Sequence, residues 1–206
     1  MDFDDILPAY DRVADHWAAT RDRSLFEKAA LQAALAGQDG ARVLDLGCGT
    51  GLPIAEWFAH QGCLVTGVDG SAPMLRHFRT NLPGAGAVHA DMRRLVLRER
   101  FDVILGWDSF FHLSKPDQRA MFAVFAAHAA RGARLLLTTG DVEGEPMGRV
   151  GQEPVIHASL SPAAYRELFA AHGFRVLWFR PRDTNFWGRS VWLARYEGDQ
   201  RAGGMA

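Results

Sequence analysis

The sequence predicts an α/β fold in which helices cover both faces of a doubly wound, mostly parallel β-sheet. Two observations lead to this prediction: short apolar runs alternate with stretches of helical periodicity, and a glycine-rich turn follows the first apolar run. Strands that are buried on both faces are apolar throughout, as these runs are. With 206 residues, the chain has the length of one domain, which buries about 70% of its unfolded surface.

Local signals justify each element in the central part of the chain. The apolar run 43–46 ends at a glycine, as expected of a short buried strand. Ser71 is suited to cap the N-terminus of a helix, and Pro73 is tolerated in the first helical turn. On this basis we predict strands at 43–46, 64–68, 87–90, 101–106 and 134–139, and helices at 52–60, 72–80 and 117–131.

The C-terminal part departs from this alternation. Ser161 and Pro162 open a helix that runs to about residue 172, and a strand is predicted at 174–179. After a turn region at 181–188, the chain returns as a last strand at 190–196. Because no helix separates these two strands, we expect them to pair antiparallel.

Two segments lie outside the alternation of strands and helices. Residues 1–38 carry apolar side chains at helical spacing, including Tyr10 and Trp17. Residues 140–160 form a long connection rich in glycine and proline, and such connections in compact domains are usually functional or mobile. We expect both segments near the carboxyl ends of the strands, where open α/β sheets bind ligands.

Composition and charge exclude several functional classes. The 23 lysines and arginines against 24 aspartates and glutamates give a net charge of −1, so the basic surface that nucleic acids require is not expected. Cys48 and Cys63 are too few for a disulfide framework, and no metal-ligand spacing is present, so no metal is expected. The N-terminus is acidic, unlike a secretion signal, and no segment has the about 20 apolar residues of a membrane span. We therefore expect a soluble, cytoplasmic protein.

The most informative stretch is VLDLGCGTG at residues 43–51. Glycines after a buried strand let the backbone turn tightly and let a ligand contact the main chain. Asp45 lies within the strand, two residues before Gly47, where its charge opposes a pyrophosphate but suits a cationic ligand. S-adenosylmethionine carries a sulfonium and an ammonium group and no phosphate. The alternative is a strand-to-helix turn that binds nothing.

Two further acidic residues follow the next strands. Asp69 lies 22 residues after Gly47, at the end of the second strand, where a carboxylate accepts hydrogen bonds from ribose hydroxyls. Asp91 follows the third strand and is suited to accept from an adenine amino group, with Met92 against the ring face. The alternative for Asp91 is that it caps the segment that follows it.

Residues from about 10 to 196 resemble the class I (Rossmann-like) S-adenosylmethionine-dependent methyltransferases of small-molecule type. The stretch 43–51 is one of the most specific motifs of that family, and the Arg131–Gly132 turn also falls where its pattern expects one. The resemblance implies a seven-stranded sheet whose last strand is inserted antiparallel, with the N-terminal helices as a lid. It also implies S-adenosylmethionine as the cofactor. The predicted cofactor-binding residues are Tyr10, Asp45, Gly47, Cys48, Gly49, Asp69, Gly70, Met74, Asp91, Met92 and Trp107.

The resemblance also assigns parts of the cofactor to parts of the chain. The glycine turn and Asp45 contact the methionine end, Tyr10 belongs to the helix that covers the cofactor, and Trp107 faces the donor methyl group. Arg21 is within reach of the cofactor carboxylate, although we favour a solvated helix end. The single domain 1–206 then divides into an N-terminal helical cap (1–38), a cofactor-binding core (41–140), a substrate-side connection (141–160) and a final helix with the antiparallel strand pair (161–197).

Methyl transfer from a sulfonium is an in-line displacement, in which orientation outweighs any single base. Orientation contributes roughly 7–11 kcal/mol, whereas a general base adds about 10²–10⁴-fold. The candidate catalytic residues are His112 and His157 as bases and Asp108 as a ligand of the substrate or of the cofactor's amino group. For His112 the alternative is a packing role, and for Asp108 a cap of the following turn. Arg149, if it points inward, favours an anionic acceptor.

We therefore expect a methyltransferase that acts on a small-molecule O or N acceptor. The alternatives are a methyltransferase that acts on protein or RNA, and a non-catalytic protein that binds S-adenosylmethionine. Substrate-facing loops vary independently of the fold, so the identity of the acceptor and the oligomeric state do not follow from the sequence.

Overall fold

A seven-stranded sheet organises the chain, and the computed structural model describes residues 2–198. A short 3-10 helix at Phe3–Asp5 leads into α1 (Ile6–Thr20) and α2 (Lys28–Leu35). The central elements are β1 (Arg42–Leu46), α3 (Ile54–His60), β2 (Leu64–Asp69), α4 (Ala72–Asn81), β3 (Gly86–His89), β4 (Phe101–Gly106), α5 (Lys115–His128) and β5 (Ala129–Thr139). The remaining elements are β6 (Met147–Val150), β7 (Glu153–Ile156), α6 (Pro162–Ala171), β8 (Phe174–Asp183) and β9 (Arg189–Tyr196).

The strand order is β3-β2-β1-β4-β5-β9-β8, and the pairs from β3 to β5 are parallel. The last strand, β9, lies between β5 and β8 and is antiparallel to both. The predicted fold class, including the inserted antiparallel strand, is confirmed. Separate apolar clusters cover the two faces of the sheet, one around Phe58 and Phe78 and the other around Phe122 and Trp192.

The strand order places a ligand crevice at one position along the sheet. From β1 the chain proceeds outward to β2 and β3, and then returns to the other side of β1 with β4. The connections after β1 and β4 therefore leave in opposite directions and open a gap at the carboxyl ends of these strands. Leu46 and Gly106 end the two strands at this gap.

Two predicted boundaries are wrong for reasons that lie in the sheet. The predicted helix 117–131 ends at His128, and β5 begins at Ala129 because Ala129 pairs with Phe101 across an irregular register. The side chain of Arg100 also donates a 2.9 Å hydrogen bond to the Ala129 carbonyl. Strand β8 continues beyond residue 179 to Asp183, into the predicted turn. It tolerates Pro181 because it is an edge strand.

The long connection contains a β-hairpin, β6–β7, that the sequence analysis did not predict. Its strands have four residues each, too few for a clear alternation, and they include Gly148 and Pro154. Val150 and Val155 of the hairpin pack against Ala9 and Val13 of α1, so the N-terminal cap and the connection form one apolar cluster. The predicted domain boundaries extend over residues 199–206, which lie outside the described residues.

Candidate functional site

The turn after β1 is built from backbone that only glycine adopts readily. Gly47 has φ +73° and Gly49 has φ +53°, both in the left-handed region. The amides of Gly47 and Cys48 donate to the carbonyl of Val68 at 2.8 and 3.1 Å, which ties the turn to the end of β2. A Cβ atom at Gly47 would overlap the Cβ of Ser109, so the turn lies directly against the segment after β4.

This turn forms one wall of a cavity of about 170 Å³, which we call the glycine-turn crevice. The ends of β1, β2 and β4 form its floor, and α1 with the preceding 3-10 helix covers it. All residues that the sequence analysis assigned to cofactor binding line this crevice, from Tyr10 on α1 to Trp107 after β4. The structure thus brings together residues that are up to 97 positions apart in the chain.

Asp45 is a buried carboxylate in the crevice wall without a compensating charge. Within residues 2–198, no protein group donates a hydrogen bond to its side chain or forms an ion pair with it. Burial, together with the nearby charge of Asp69, raises the pKa of Asp45 from its ordinary value of 3.8 to about 7. A cation bound beside Asp45 would restore its ionised form.

Asp69 lines the crevice and connects the glycine turn to the segment after β2. Its two carboxylate oxygens accept hydrogen bonds from the amides of Gly49 and Ser71, each at 2.8 Å. Burial raises the pKa of Asp69, and these two backbone hydrogen bonds counteract the rise. Each oxygen keeps a further lone pair, so Asp69 is able to accept hydrogen bonds from a ligand as well.

Asp91 is engaged by Arg93. Its carboxylate accepts from the amide of Arg93 at 2.9 Å and pairs with the guanidinium at 2.7 Å. Burial acts to raise the pKa of Asp91, but the hydrogen bonds from Arg93 bring it below its ordinary value. Asp91 therefore does cap the short helix Met92–Arg94, and its predicted contact with adenine stays a prediction.

Arg21 is part of the crevice wall, and our interpretation of it as a solvated helix end is wrong. Its side chain is only 12% exposed, and its guanidinium donates to Glu27 Oε1 at 2.9 Å. The segment between α1 and α2 places Glu27, which is fully buried, beside Arg21. Sequence reasoning missed Glu27 because a glutamate six residues from an arginine carries no signal of its burial.

A larger cavity of about 680 Å³ adjoins the glycine-turn crevice, and we call it the hairpin cavity because β6 and the segments around the hairpin line it. Four residues line both spaces: Tyr10, Trp17, Asp108 and His112. His157 and Arg149 also line the hairpin cavity. All three candidate catalytic residues therefore lie at or beside the wall between the two spaces.

His112 is held as a neutral imidazole. Its Nδ1 lies 3.2 Å from the carbonyl oxygen of Ile156, and because a carbonyl only accepts, Nδ1 carries the proton. Nε2 then accepts from the hydroxyl of Tyr10 at 2.8 Å. Burial, reinforced by the nearby His157, lowers the pKa of His112 from 6.5 to about 4.

His157 and Asp108 differ in how far they are engaged. The half-buried ring of His157 packs against Phe111 and His112, with centroid distances of 4.7 and 5.0 Å, and burial lowers its pKa. Asp108 forms a bidentate ion pair with Arg189, at 2.9 Å from Nε and 2.7 Å from Nη2. Its carboxylate is thereby committed to β9, and the alternative of a cap on the following turn is wrong.

Comparisons with known proteins agree with this geometry. Residues 43–132 match a family model described as "Methyltransferase domain". The matched stretch is thus similar to methyltransferase domains. It extends from β1 to the first part of β5 and includes the glycine turn, Asp45, Asp69 and Asp91.

Two curated relatives illustrate the sequence similarity. The chain is 30% identical over 172 residues to a ubiquinone biosynthesis O-methyltransferase of Sinorhizobium fredii, an alignment of 81% of the chain and 60% of the relative. It is 34% identical over 100 residues to a malonyl-[acyl-carrier protein] O-methyltransferase of Enterobacter lignolyticus, covering 48% of the chain and 39% of the relative. The chain thus spans less than two thirds of the length of either relative.

Solved structures share the fold. The CcbJ methyltransferase from Streptomyces caelestis superposes with a TM-score of 0.73 at 20% identity, over 95% of this chain and 99% of that one. The 1,6-didemethyltoxoflavin-N1-methyltransferase of Burkholderia thailandensis, solved with bound 1,6-didemethyltoxoflavin and S-adenosylhomocysteine, gives a TM-score of 0.70 at 22% identity, over 94% of this chain and 86% of that one. In the part of our chain that the structure describes, no helix has the length and hydropathy needed to cross a bilayer.

Proposed function

We propose that the protein is an S-adenosylmethionine-dependent methyltransferase that transfers a methyl group in line to an O or N atom of a small-molecule acceptor. The observation that carries the proposal is the pairing of the two cavities. One contains an uncompensated carboxylate suited to a cationic donor, and it shares a wall with a larger space suited to an acceptor. The names of the relatives support the same activity.

The residues of the glycine-turn crevice fit the methyl donor on chemical grounds. Asp45 would face the ammonium group, and Asp69 would accept hydrogen bonds from the ribose hydroxyls. Gly47 and Gly49 leave the main chain bare, so a ligand is able to lie against it. Arg21 supplies a positive charge for the donor's carboxylate. When bound, the donor supplies a methyl group on a positively charged sulfur.

The chain's own residues would orient the acceptor and exclude water. Trp107 is buried and Tyr10 is partly buried beside the crevice, and we propose that both keep solvent away from it. At the shared wall, Nε2 of His112 accepts a hydrogen bond from the hydroxyl of Tyr10. A hydroxyl or amine of the small molecule to be methylated would take the place of that hydroxyl. With a pKa of about 4, His112 is a weak base, so we propose that it orients the acceptor's proton more than it removes it.

The remaining candidates divide between structure and substrate contact. Because Arg189 neutralises Asp108, we propose that Asp108 shapes the shared wall and that His157, whose ring makes no hydrogen bond within residues 2–198, contacts the acceptor. The volume of the hairpin cavity, about 680 Å³, is within the range of small-molecule sites, roughly 300–1,000 Å³.

Calorimetric titration tests the cofactor assignment. We expect S-adenosylmethionine and S-adenosylhomocysteine to bind and NAD not to bind. Asp45→Asn should strongly lower the affinity for S-adenosylhomocysteine. Asp39→Asn, at an exposed position, is the matched control and should leave binding unchanged. A preference for NAD would overturn the proposal. Transfer of radiolabelled methyl groups to a panel of phenols, hydroxy acids and amines then identifies the acceptor class.

We also propose that the protein acts in the cytoplasm. Both of its cysteines, Cys48 and Cys63, are free and buried thiols, as expected of a protein kept in a reducing compartment. Localisation of a fluorescent fusion in the native host tests this, and a signal confined to the envelope would contradict it.

A further inference from the structure

Arg21, which lines the glycine-turn crevice, forms an ion pair with Glu27, which follows it in the sequence. Nη2 of Arg21 donates to Oε1 of Glu27 at 2.9 Å, and the side chain of Glu27 has no solvent exposure. The second carboxylate oxygen, Oε2, is buried and has no hydrogen-bond partner within residues 2–198. Burial raises the pKa of Glu27.

Such a pair is a poor way to stabilise a fold. Removing two charges from water costs several kcal/mol for each ion, and the cost is recovered only where the remaining lone pairs are satisfied. The free Oε2 of Glu27 fails this condition. An apolar pair of similar volume would therefore serve stability as well, and the charges of Arg21 and Glu27 call for a role in binding.

The other arginine of the crevice, Arg93, is more heavily engaged by carboxylates. Arg93 is paired with Asp91 at 2.7 Å and with Asp117 at 3.2 Å. Among residues 2–198, Arg21 pairs with a single carboxylate, and only one of its five N–H groups donates a hydrogen bond to protein. Arg21 is therefore the less engaged of the two arginines that line the crevice, with more donors left for a ligand.

The position of the Arg21 guanidinium is fixed from two sides. Glu27 holds one nitrogen, and the ring of Trp17 lies 5.5 Å from the guanidinium carbon. Since an arginine side chain otherwise has many rotamers, a fixed guanidinium binds an anion with a smaller loss of entropy. Arg21 lines the same crevice as the uncompensated Asp45.

We propose that Glu27 is a positioning residue, which holds the guanidinium of Arg21 ready to bind the carboxylate of the methyl donor. The inference rests on the proposed function, because it assumes that the crevice binds S-adenosylmethionine. In it, Arg21 contacts the ligand, and Glu27 acts only through Arg21.

Two ligands that differ in one group test the inference in calorimetric titrations. S-adenosylhomocysteine carries the carboxylate, and its decarboxylated analogue keeps the ammonium group and lacks only the carboxylate. We expect Glu27→Ala and Arg21→Ala each to lower the affinity for S-adenosylhomocysteine by about tenfold or more, because a charge-assisted hydrogen bond to its carboxylate is lost or misplaced. The affinity for the analogue should change by less than about twofold.

The variants also separate positioning from a merely structural role. Glu27→Gln keeps the shape and one acceptor oxygen, so it should bind S-adenosylhomocysteine within about threefold of the wild type. Combining Glu27→Ala with Arg21→Ala should weaken binding no further than Arg21→Ala alone. Glu99→Ala, at an exposed glutamate, is the control. If Glu27→Ala does not fold, Glu27→Met fills the same space without the charge.

Three results would overturn the inference: equal weakening of both ligands by Glu27→Ala, a further loss in the double variant, or a tenfold loss with Glu27→Gln. A wild-type protein that binds neither ligand would instead contradict the proposed function. The two failures are therefore distinguishable.

Discussion

The sharpest prediction concerns the pH dependence of ligand binding at Asp45. With its pKa raised to about 7, this carboxyl group is mostly protonated below neutral pH in the free protein. A ligand with an ammonium group beside it favours the ionised form, so binding must release the proton. Affinity should therefore fall as pH decreases through 7 and become constant above it.

The size of the effect follows from the pKa. Each pH unit below the pKa of the free protein costs about 1.4 kcal/mol, a factor of ten in affinity. S-adenosylhomocysteine should bind about tenfold more weakly at pH 6 than at pH 8 and above, and about one proton should be released at pH 6. Its own ammonium group stays charged over this range.

Isothermal titration from pH 5.5 to 8.5, in buffers with different ionisation enthalpies, measures both the affinity and the protons released. Asp69 also has a raised pKa, so the slope must be assigned with a variant. Asp45→Asn removes the titrating group and keeps the shape of the side chain. We expect the variant to bind S-adenosylhomocysteine weakly, with an affinity that does not change with pH in this way. A flat profile in the wild type, or an unchanged slope in Asp45→Asn, would refute the reasoning.

Three further predictions follow from the same contacts. Asp45→Asn should stabilise the ligand-free protein at pH 8 by up to about 4 kcal/mol, measured by chemical denaturation. The reason is that a carboxyl group with a raised pKa in the folded state makes the fold lose stability as pH rises from about 4 to 7, and the variant removes this group. Gly47→Ala should destabilise the fold by about 1–3 kcal/mol and abolish ligand binding in calorimetry, since its Cβ would overlap Ser109 at a positive φ; a folded, binding variant would contradict this. Tyr10→Phe should lower the free energy of unfolding by about 1 kcal/mol or less, measured by chemical denaturation, because only the hydrogen bond to His112 is lost; a loss above about 2 kcal/mol would contradict this.

The sequence was sufficient for the parts of the fold that depend on local pattern. The apolar runs, the positive-φ glycines and the cap at Ser71 each act within a few residues, and the strands and helices they predict are present with small shifts. The antiparallel β9 also followed from a local fact, the absence of a helix after β8. The carboxyl ends of parallel strands meet at one edge, so Asp45 and Asp69 were expected together.

The sequence was insufficient where a partner lies far along the chain. The early start of β5 depends on pairing with Phe101, and the charge of Asp108 is neutralised by Arg189, 81 residues later. The hairpin β6–β7 is stabilised by its contact with α1 and not by its own pattern. The burial of Glu27 likewise depends on the path of the chain between α1 and α2, and no periodic pattern in the sequence predicts that path.

These long-range contacts also explain why the two cavities share a wall. Tyr10 reaches the wall only because α1 packs on the hairpin through Ala9, Val13, Val150 and Val155, and the hydrogen bond from Tyr10 to His112 joins that cluster to the segment after β4. His112 in turn donates to Ile156 at the end of β7. A displacement of α1 at the glycine-turn crevice would therefore also displace the hairpin, whose strand β6 lines the hairpin cavity.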